Sequence, residues 1–240
     1  MEVKAAHGVA VEVPQKNWHH DLPAMADAIT DNTRLLFICN PNNPTGTMAT
    51  KAEVAALMAR VPEQVVVVFD EAYYEYVRHP EFPESLGYVK AGRNVIVLRT
   101  FSKIYGLAGL RIGYGITTPE ITNYLNRIRP PFNANSMAQR AALAALDDDS
   151  HVGTSRALNH AEMDKVRAGL RRLGFEALPS ETNFLYFDVG RDGREVFDAL
   201  LRKGIIVRHI DGQMLRVTIG LPEENHLFLS ALEDVTRAPR

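Results

Sequence analysis

Short apolar runs punctuate the first half of the chain: GVAVEVP (Gly8–Pro14), RLLFIC (Arg34–Cys39), QVVVVFD (Gln64–Asp70), NVIVLRT (Asn94–Thr100) and RIGYGI (Arg111–Ile116). Their length and β-branched content predict strands rather than helices. Between the second and third, ATKAEVAALMARVP (Ala49–Pro62) repeats its apolar residues at helical spacing, with Thr50 placed to cap the helix. Runs as unbroken as Val65–Phe69, joined by crossovers long enough for helices, predict a parallel sheet covered on both faces.

The texture changes at RIRPPFNANSMAQ (Arg127–Gln139), where the Pro-Pro pair ends the helix expected over Thr118–Ile128. Two long helices are predicted next, Ser136–Leu146 and Ser150–Leu173. The acidic triplet Asp147–Asp149 between them reads as a solvated helix boundary rather than a metal site. From Gly174 a smaller α+β unit follows, with strands near Phe184–Asp188, Ile205–His209 and Leu215–Ile219 and helices near Arg194–Lys203 and Glu223–Thr236. The fold class is thus α/β: a mostly parallel sheet in a larger domain, long connecting helices, and a smaller α+β C-terminal domain.

Composition narrows the function classes. A chain of 240 residues with 46% hydrophobic and 23% charged positions has room for a sizeable core in one large or two modest domains. The formal net charge of −2 sets aside nucleic acid and anionic membranes as partners, since both demand a basic excess. The single cysteine, Cys39, reads as a buried strand residue; it excludes an internal disulfide and fits a reducing compartment. No apolar run approaches the roughly 20 residues of a membrane span, and MEVKAAHGVAVEVPQ lacks the layout of a signal peptide. The expectation is a soluble, cytoplasmic protein.

In an open parallel sheet, ligands gather at the carboxyl ends of strands, and three strand ends here carry unusual residues. NPNNPTGT (Asn40–Thr47) fixes a sharp turn able to expose an asparagine amide. In DEAYYEY, Asp70 ends a run of apolar residues; its carboxylate either caps a helix or enters a partly buried site that must supply a cation or hydrogen bonds. In RTFSKIYGLAGLR, Thr100 and Ser102 supply hydroxyls, Lys103 an amine and Arg111 a guanidinium, with glycines that let the backbone approach a ligand. This is a phosphate cradle without the GxxxxGK[ST] signature. A lysine in such a confined site can act as a nucleophile toward a carbonyl. His19, His20 and Asp21 lack a second cluster that would complete a metal site. Tyr74 and Tyr76 read as packing residues, and His209 and Asp211 as loop residues.

An amine, a carboxylate, hydrogen-bond donors and a phosphate cradle are the parts that pyridoxal phosphate requires. NPNNPTGT, VVFDEAYYEY, RTFSKIYGLAGLRIGY, RPPFNANSMAQ and LRVTIG, in this order and spacing, resemble the class I/II aminotransferases of fold type I, and within them the histidinol-phosphate aminotransferase branch. NWHHDLPAM also resembles a segment found just ahead of the first motif.

The resemblance implies roles for matched positions. Lys103 would attach the cofactor and shuttle the proton; Asp70 would face the pyridinium nitrogen. Asn43 and Tyr73 would donate to the phenolic oxygen, and Thr100, Ser102 and Arg111 would hold the phosphate. Arg216 would grip the substrate carboxylate or the equivalent end of an amino alcohol, and Arg208 the substrate phosphate. The HIDGQM segment between these arginines is shorter than in the family pattern. The implied reaction moves an amino group between L-histidinol phosphate and 2-oxoglutarate in histidine biosynthesis, in a homodimer when the protein is complete.

Family members extend further at the N-terminus, so residues 1–128 would be the remaining part of the large cofactor domain, 129–173 connecting helices and 174–240 the small domain. Such a chain would keep Lys103 yet bind cofactor weakly and turn over poorly. The alternatives are an aromatic or other amino-acid transaminase, threonine-phosphate decarboxylase, or a non-catalytic remnant. A nucleotide-binding Rossmann protein fits the alternation but lacks GxGxxG after the first strand.

Overall fold

The computed structural model describes Val3 and residues 6–237. Its first sheet joins β1 (Leu35–Cys39), β2 (Val66–Asp70), β3 (Val95–Thr100) and β4 (Gly113–Ile116) in the order β1-β2-β3-β4. The first three run parallel, and β4 lies antiparallel to β3. Its connection from β3 is a loop rather than a helical crossover, which an antiparallel neighbour permits and a parallel one does not.

Helices α1 (Leu22–Asp27), α2 (Lys51–Met58) and α3 (Ser85–Lys90) bury one face of this sheet, packing Leu22, Val54, Leu57 and Met58 against Ile38, Val67, Phe69, Val95 and Val97. α2 starts where a capping box predicts: the Glu53 carboxylate accepts from the Thr50 N–H at 2.7 Å, and the Thr50 hydroxyl accepts from the Glu53 N–H. α1 begins at Asp21, whose carboxylate accepts from the Ala24 N–H, so this aspartate is a helix cap.

Two expectations fail here. The opposite face of the sheet is covered only in part: Val68 and Ile96 on that side are buried, but Leu35 is 51% and Phe37 52% exposed, on the same side as Leu98. Gly8–Pro14 is not a strand, because a lone apolar segment becomes one only where another strand satisfies its backbone, and none of the described residues pairs with it. Its Val9 and Val11 stand exposed.

α4 (Pro119–Ile128) ends at the Pro-Pro pair as expected and buries none of its residues. α5 (Ser136–Leu146) is capped by Asn135. α6 (Asp149–Arg172) is capped by Asp148, whose carboxylate accepts from the His151 N–H; two members of the acidic triplet thus mark helix ends, Asp147 as the C-cap of α5 and Asp148 as the N-cap of α6. At 24 residues, α6 is about 36 Å long.

The second sheet joins β5 (Phe184–Asp188), β6 (Arg208–Asp211) and β7 (Met214–Thr218), all antiparallel, in the order β5-β7-β6. α7 (Gly193–Arg202), α8 (Pro222–Arg237) and α6 close over it around Leu170, Leu185, Phe187, Leu200, Leu215 and Leu232. β6 starts later than Ile205. Gly204 at φ +80° and the Ile205 N–H, which donates to the Leu200 carbonyl, are spent on ending α7. His209 and Asp211, read from sequence as loop residues, lie in β6, and the turn to β7 falls on Gly212 at φ +49°. The described residues include no helix long and apolar enough to cross a membrane.

Candidate active site

The carboxyl ends of β1, β2 and β3 lie side by side, with Cys39 opposite Asp70 and Asp70 opposite Leu98. The turn after β1 is held from within. Asn40 donates to the Ala49 carbonyl and accepts from the Ala49 N–H, Asn42 donates to Thr45, and Thr45 bonds Thr47. Thr47 in turn donates to the Trp18 carbonyl at 2.8 Å. Asn42, Thr45 and Thr47 are buried by this network, while Asn43 is exposed at its tip. A Cβ at Gly46, which sits at φ +80°, would lie 2.8 Å from the Ser180 Cβ. This glycine is required where the first-sheet turn meets the strand approach to β5.

After β2, Asp70 does not cap an α-helix. Its Oδ1 accepts from the Ala72 N–H at 3.1 Å in a short side-chain turn, followed by a 3-10 turn over Tyr74–Tyr76. Tyr73 is buried, its ring edge-on to Phe184 with centroids 5.3 Å apart. Burial pushes its phenol above the ordinary tyrosine range, against the opposing pull of Arg216, so it is a protonated donor at neutral pH. Tyr76 is buried, as a packing residue should be. Tyr74 does more: the Arg99 guanidinium lies over its ring at 3.5 Å.

After β3, the Thr100 hydroxyl accepts from the Ser102 N–H, and Arg111 donates to the Ala108 carbonyl at 2.8 Å and reaches the Ser102 hydroxyl at 3.4 Å. Lys103 places its Nζ 5.2 Å from the centre of the Tyr73 ring. It has no carboxylate within ion-pair distance among the described residues.

From the second sheet, Arg216 on β7 crosses to the first: its Nη1 donates to the Asn43 side-chain oxygen, and its guanidinium lies 4.8 Å from the Phe184 ring centre. Its Nε is buried without a partner. Arg208, exposed at the start of β6, is the direct cross-strand neighbour of Arg216. Two like charges set opposite one another repel unless an anion lies between them.

Lys103, Tyr73, Phe184, Arg216 and Asn43 therefore form one continuous chain of contacts. Thr100, Ser102 and Arg111 form a second group following Asp70's neighbour strand. Sequence reasoning missed Phe184, which joins the two halves of the chain of contacts, and the buried pair Glu71–Arg99. An aromatic opening a predicted strand carries no signal of its own, whereas a glutamate directly after Asp70 does. The His20 Nε2 donates to the Cys39 carbonyl, and burial holds the imidazole below the ordinary histidine range. The described residues hold no cluster of metal-binding side chains. Cys39 is half-buried, and burial pushes its thiol up to about 11.

Residues 1–232 match the family model for aminotransferases of class I and II. The histidinol-phosphate aminotransferase of Moorella thermoacetica is 53% identical over 233 residues, covering 95% of this chain and 60% of the relative. Histidinol-phosphate aminotransferase 2 of Pseudomonas fluorescens is 51% identical over 227 residues, covering 93% and 61%. The crystal structure of the Sinorhizobium meliloti histidinol-phosphate aminotransferase in complex with pyridoxal-5'-phosphate superimposes with a TM-score of 0.91 at 32% identity, covering 98% of this chain and 66% of that one. The chain thus spans about 60% of the length of the curated relatives it matches.

Proposed function

The chain belongs to the class I and II aminotransferases, and from that membership and the site's geometry we propose that it binds pyridoxal phosphate and serves amino-group transfer between L-histidinol phosphate and 2-oxoglutarate. The fold is that of the fold-type I enzymes. The observation that carries the reading is the chain of contacts Lys103–Tyr73–Phe184–Arg216–Asn43, which sets an amine beside a phenol, an amide and an arginine; among the described residues the amine has no carboxylate partner and the buried arginine Nε no hydrogen-bond partner.

The donor set fits the cofactor. Bound there, pyridoxal phosphate supplies an electron sink for breaking a bond beside an amino group. Lys103 is the amine for its covalent attachment, and its Nζ carries the proton to and from the substrate carbon. Asp70 has Oδ1 engaged by Ala72, which leaves Oδ2 to hold a proton on the ring nitrogen. Tyr73 and Asn43 orient the ring by donating to its phenolic oxygen. Thr100, Ser102 and Arg111 bind the phosphate with two hydroxyls and one guanidinium. Arg216 holds the substrate carboxylate or the equivalent end of an amino alcohol, and Arg208 the substrate phosphate, tasks for which the paired donors of a guanidinium are suited.

We assign residues 1–128 to the cofactor domain, 129–173 to connecting helices and 174–240 to the small domain; two separate sheets with α5 and α6 between them support this division. A homodimer in the cytoplasm is part of the same reading. The exposed apolar side chains Ile128, Phe132, Met137 and Leu143 support burial of that region against another polypeptide.

The test is covalent labelling. Purified protein mixed with pyridoxal phosphate should gain visible absorbance, and borohydride should fix the label on Lys103. Transfer from histidinol phosphate to 2-oxoglutarate should be lost in Lys103→Ala. Labelling confined to another lysine overturns the assignment.

A further inference from the structure

Lys103 opens a tight turn. Its carbonyl accepts from the Gly106 N–H at 2.9 Å, so Ile104 and Tyr105 are the central residues and the Ile104 carbonyl belongs to the central peptide. That peptide is the one whose flip separates type I from type II turns. Gly106 has φ +71° but Tyr105 is not at positive φ, so the turn is not type II. The side chain of Ile104 is buried with Tyr73, Tyr76, Val152 and Phe184.

One further group touches the central peptide. His151, in the first turn of α6, has its Nε2 3.0 Å from the Ile104 carbonyl across 47 residues of sequence. The imidazole can only donate to this oxygen. Its own backbone position is fixed by the Asp148 cap, and its neighbour Val152 packs on Ile104 in the same small core. Further along α6, the His160 Nε2 meets the Tyr76 carbonyl at 2.7 Å, in the segment that follows Tyr73. One rigid helix therefore holds both loops whose side chains meet where Lys103 lies over Tyr73.

We propose that His151 is a positioning residue for Lys103: by donating to the Ile104 carbonyl it fixes the central peptide of the Lys103–Gly106 turn and so the direction in which the lysine leaves the backbone. The inference rests on the reading of Lys103 as the reactive amine.

The test compares His151→Gln, which keeps a side-chain N–H donor, with His151→Leu, which has none, in the chain as it stands. Lys103 is labelled by reductive methylation with formaldehyde, quantified against Lys90 on α3, and exchange of the Gly106 amide is followed by NMR. Losing one hydrogen bond of ordinary strength should change both rates about fivefold in His151→Leu, with His151→Gln within twofold of the parent. Equal behaviour of the two variants overturns the proposal, including the case in which both are merely less resistant to urea. A parallel arm adds pyridoxal phosphate. No adduct in the parent protein sinks the functional reading, whereas adducts forming at one rate in all three proteins sink the role of His151.

Discussion

Arg99 donates from both Nε and Nη2 to a single oxygen, Glu71 Oε2, at 3.0 and 2.8 Å, while the other carboxylate oxygen is buried with no partner. Glu71 directly follows Asp70 and Arg99 directly precedes Thr100, so the pair ties together the strand ends that present the candidate cofactor contacts. Removing one member of a buried pair leaves an uncompensated charge. Arg99→Met should cost about 3–5 kcal/mol of stability, read from urea unfolding. Glu71→Gln should cost less, because the amide oxygen still accepts from the guanidinium.

Glu75 sets a pH dependence. Burial pushes its carboxyl above the ordinary glutamate range, Arg99 opposes this and Glu71 adds to it. The folded protein then keeps that proton to a higher pH than the unfolded chain, so stability falls as pH rises from about 4.3 through the raised value. Glu75→Gln should flatten the fall in melting temperature over that window. It will not abolish it, since burial also raises Glu71. A steeper fall in the variant would contradict the sign.

The two facing arginines should divide the work of substrate binding. Arg216→Lys loses the fork that bonds Asn43 and should weaken binding of the amino donor about tenfold or more, the worth of a charged hydrogen bond. Arg208→Ala should weaken L-histidinol phosphate by a similar factor and leave unphosphorylated L-histidinol almost unchanged. Isothermal titration with both amines decides it; equal losses for the two would remove Arg208 from phosphate recognition.

Gly46 and Gly174 separate two effects of a methyl group. Both have positive φ, +80° and +90°, but a Cβ at Gly174 meets nothing within 4 Å whereas one at Gly46 runs into Ser180. Gly174→Ala should cost about 1 kcal/mol from backbone strain alone. Gly46→Ala should cost at least about 2 kcal/mol and loosen the turn that carries Asn43, seen as faster exchange of the Thr47 amide.

Much of this was legible in the chain because it is written in local pattern. Strands β1 to β3 are built on apolar runs, β-branched in β2 and β3, α2 announces itself through Thr50 and Glu53, and Asn43, Asp70 and Lys103 stand just past where such runs stop. What escaped depends on partners far along the chain. GVAVEVP has the pattern of a strand and nothing beside it to pair with. Leu35 and Phe37 look like core, and only the arrangement of α1 to α3 shows which face of the sheet is packed. The crossing of Arg216 to Asn43 spans 173 residues, and no spacing rule connects them. The contact of His151 with the turn after Lys103 is hidden for the same reason.

β1 occupies one margin of its sheet, bonded to β2 on one side only, and it is also the strand whose Leu35 and Phe37 face outward. The segment LLFIC is short, uncharged, free of proline and glycine, and rich in residues that favour extended backbone. Open backbone groups along a bare apolar strand template the addition of another such strand. Strand addition at LLFIC is therefore the expected route of self-association at high concentration, and Phe37→Lys should reduce it, read by light scattering.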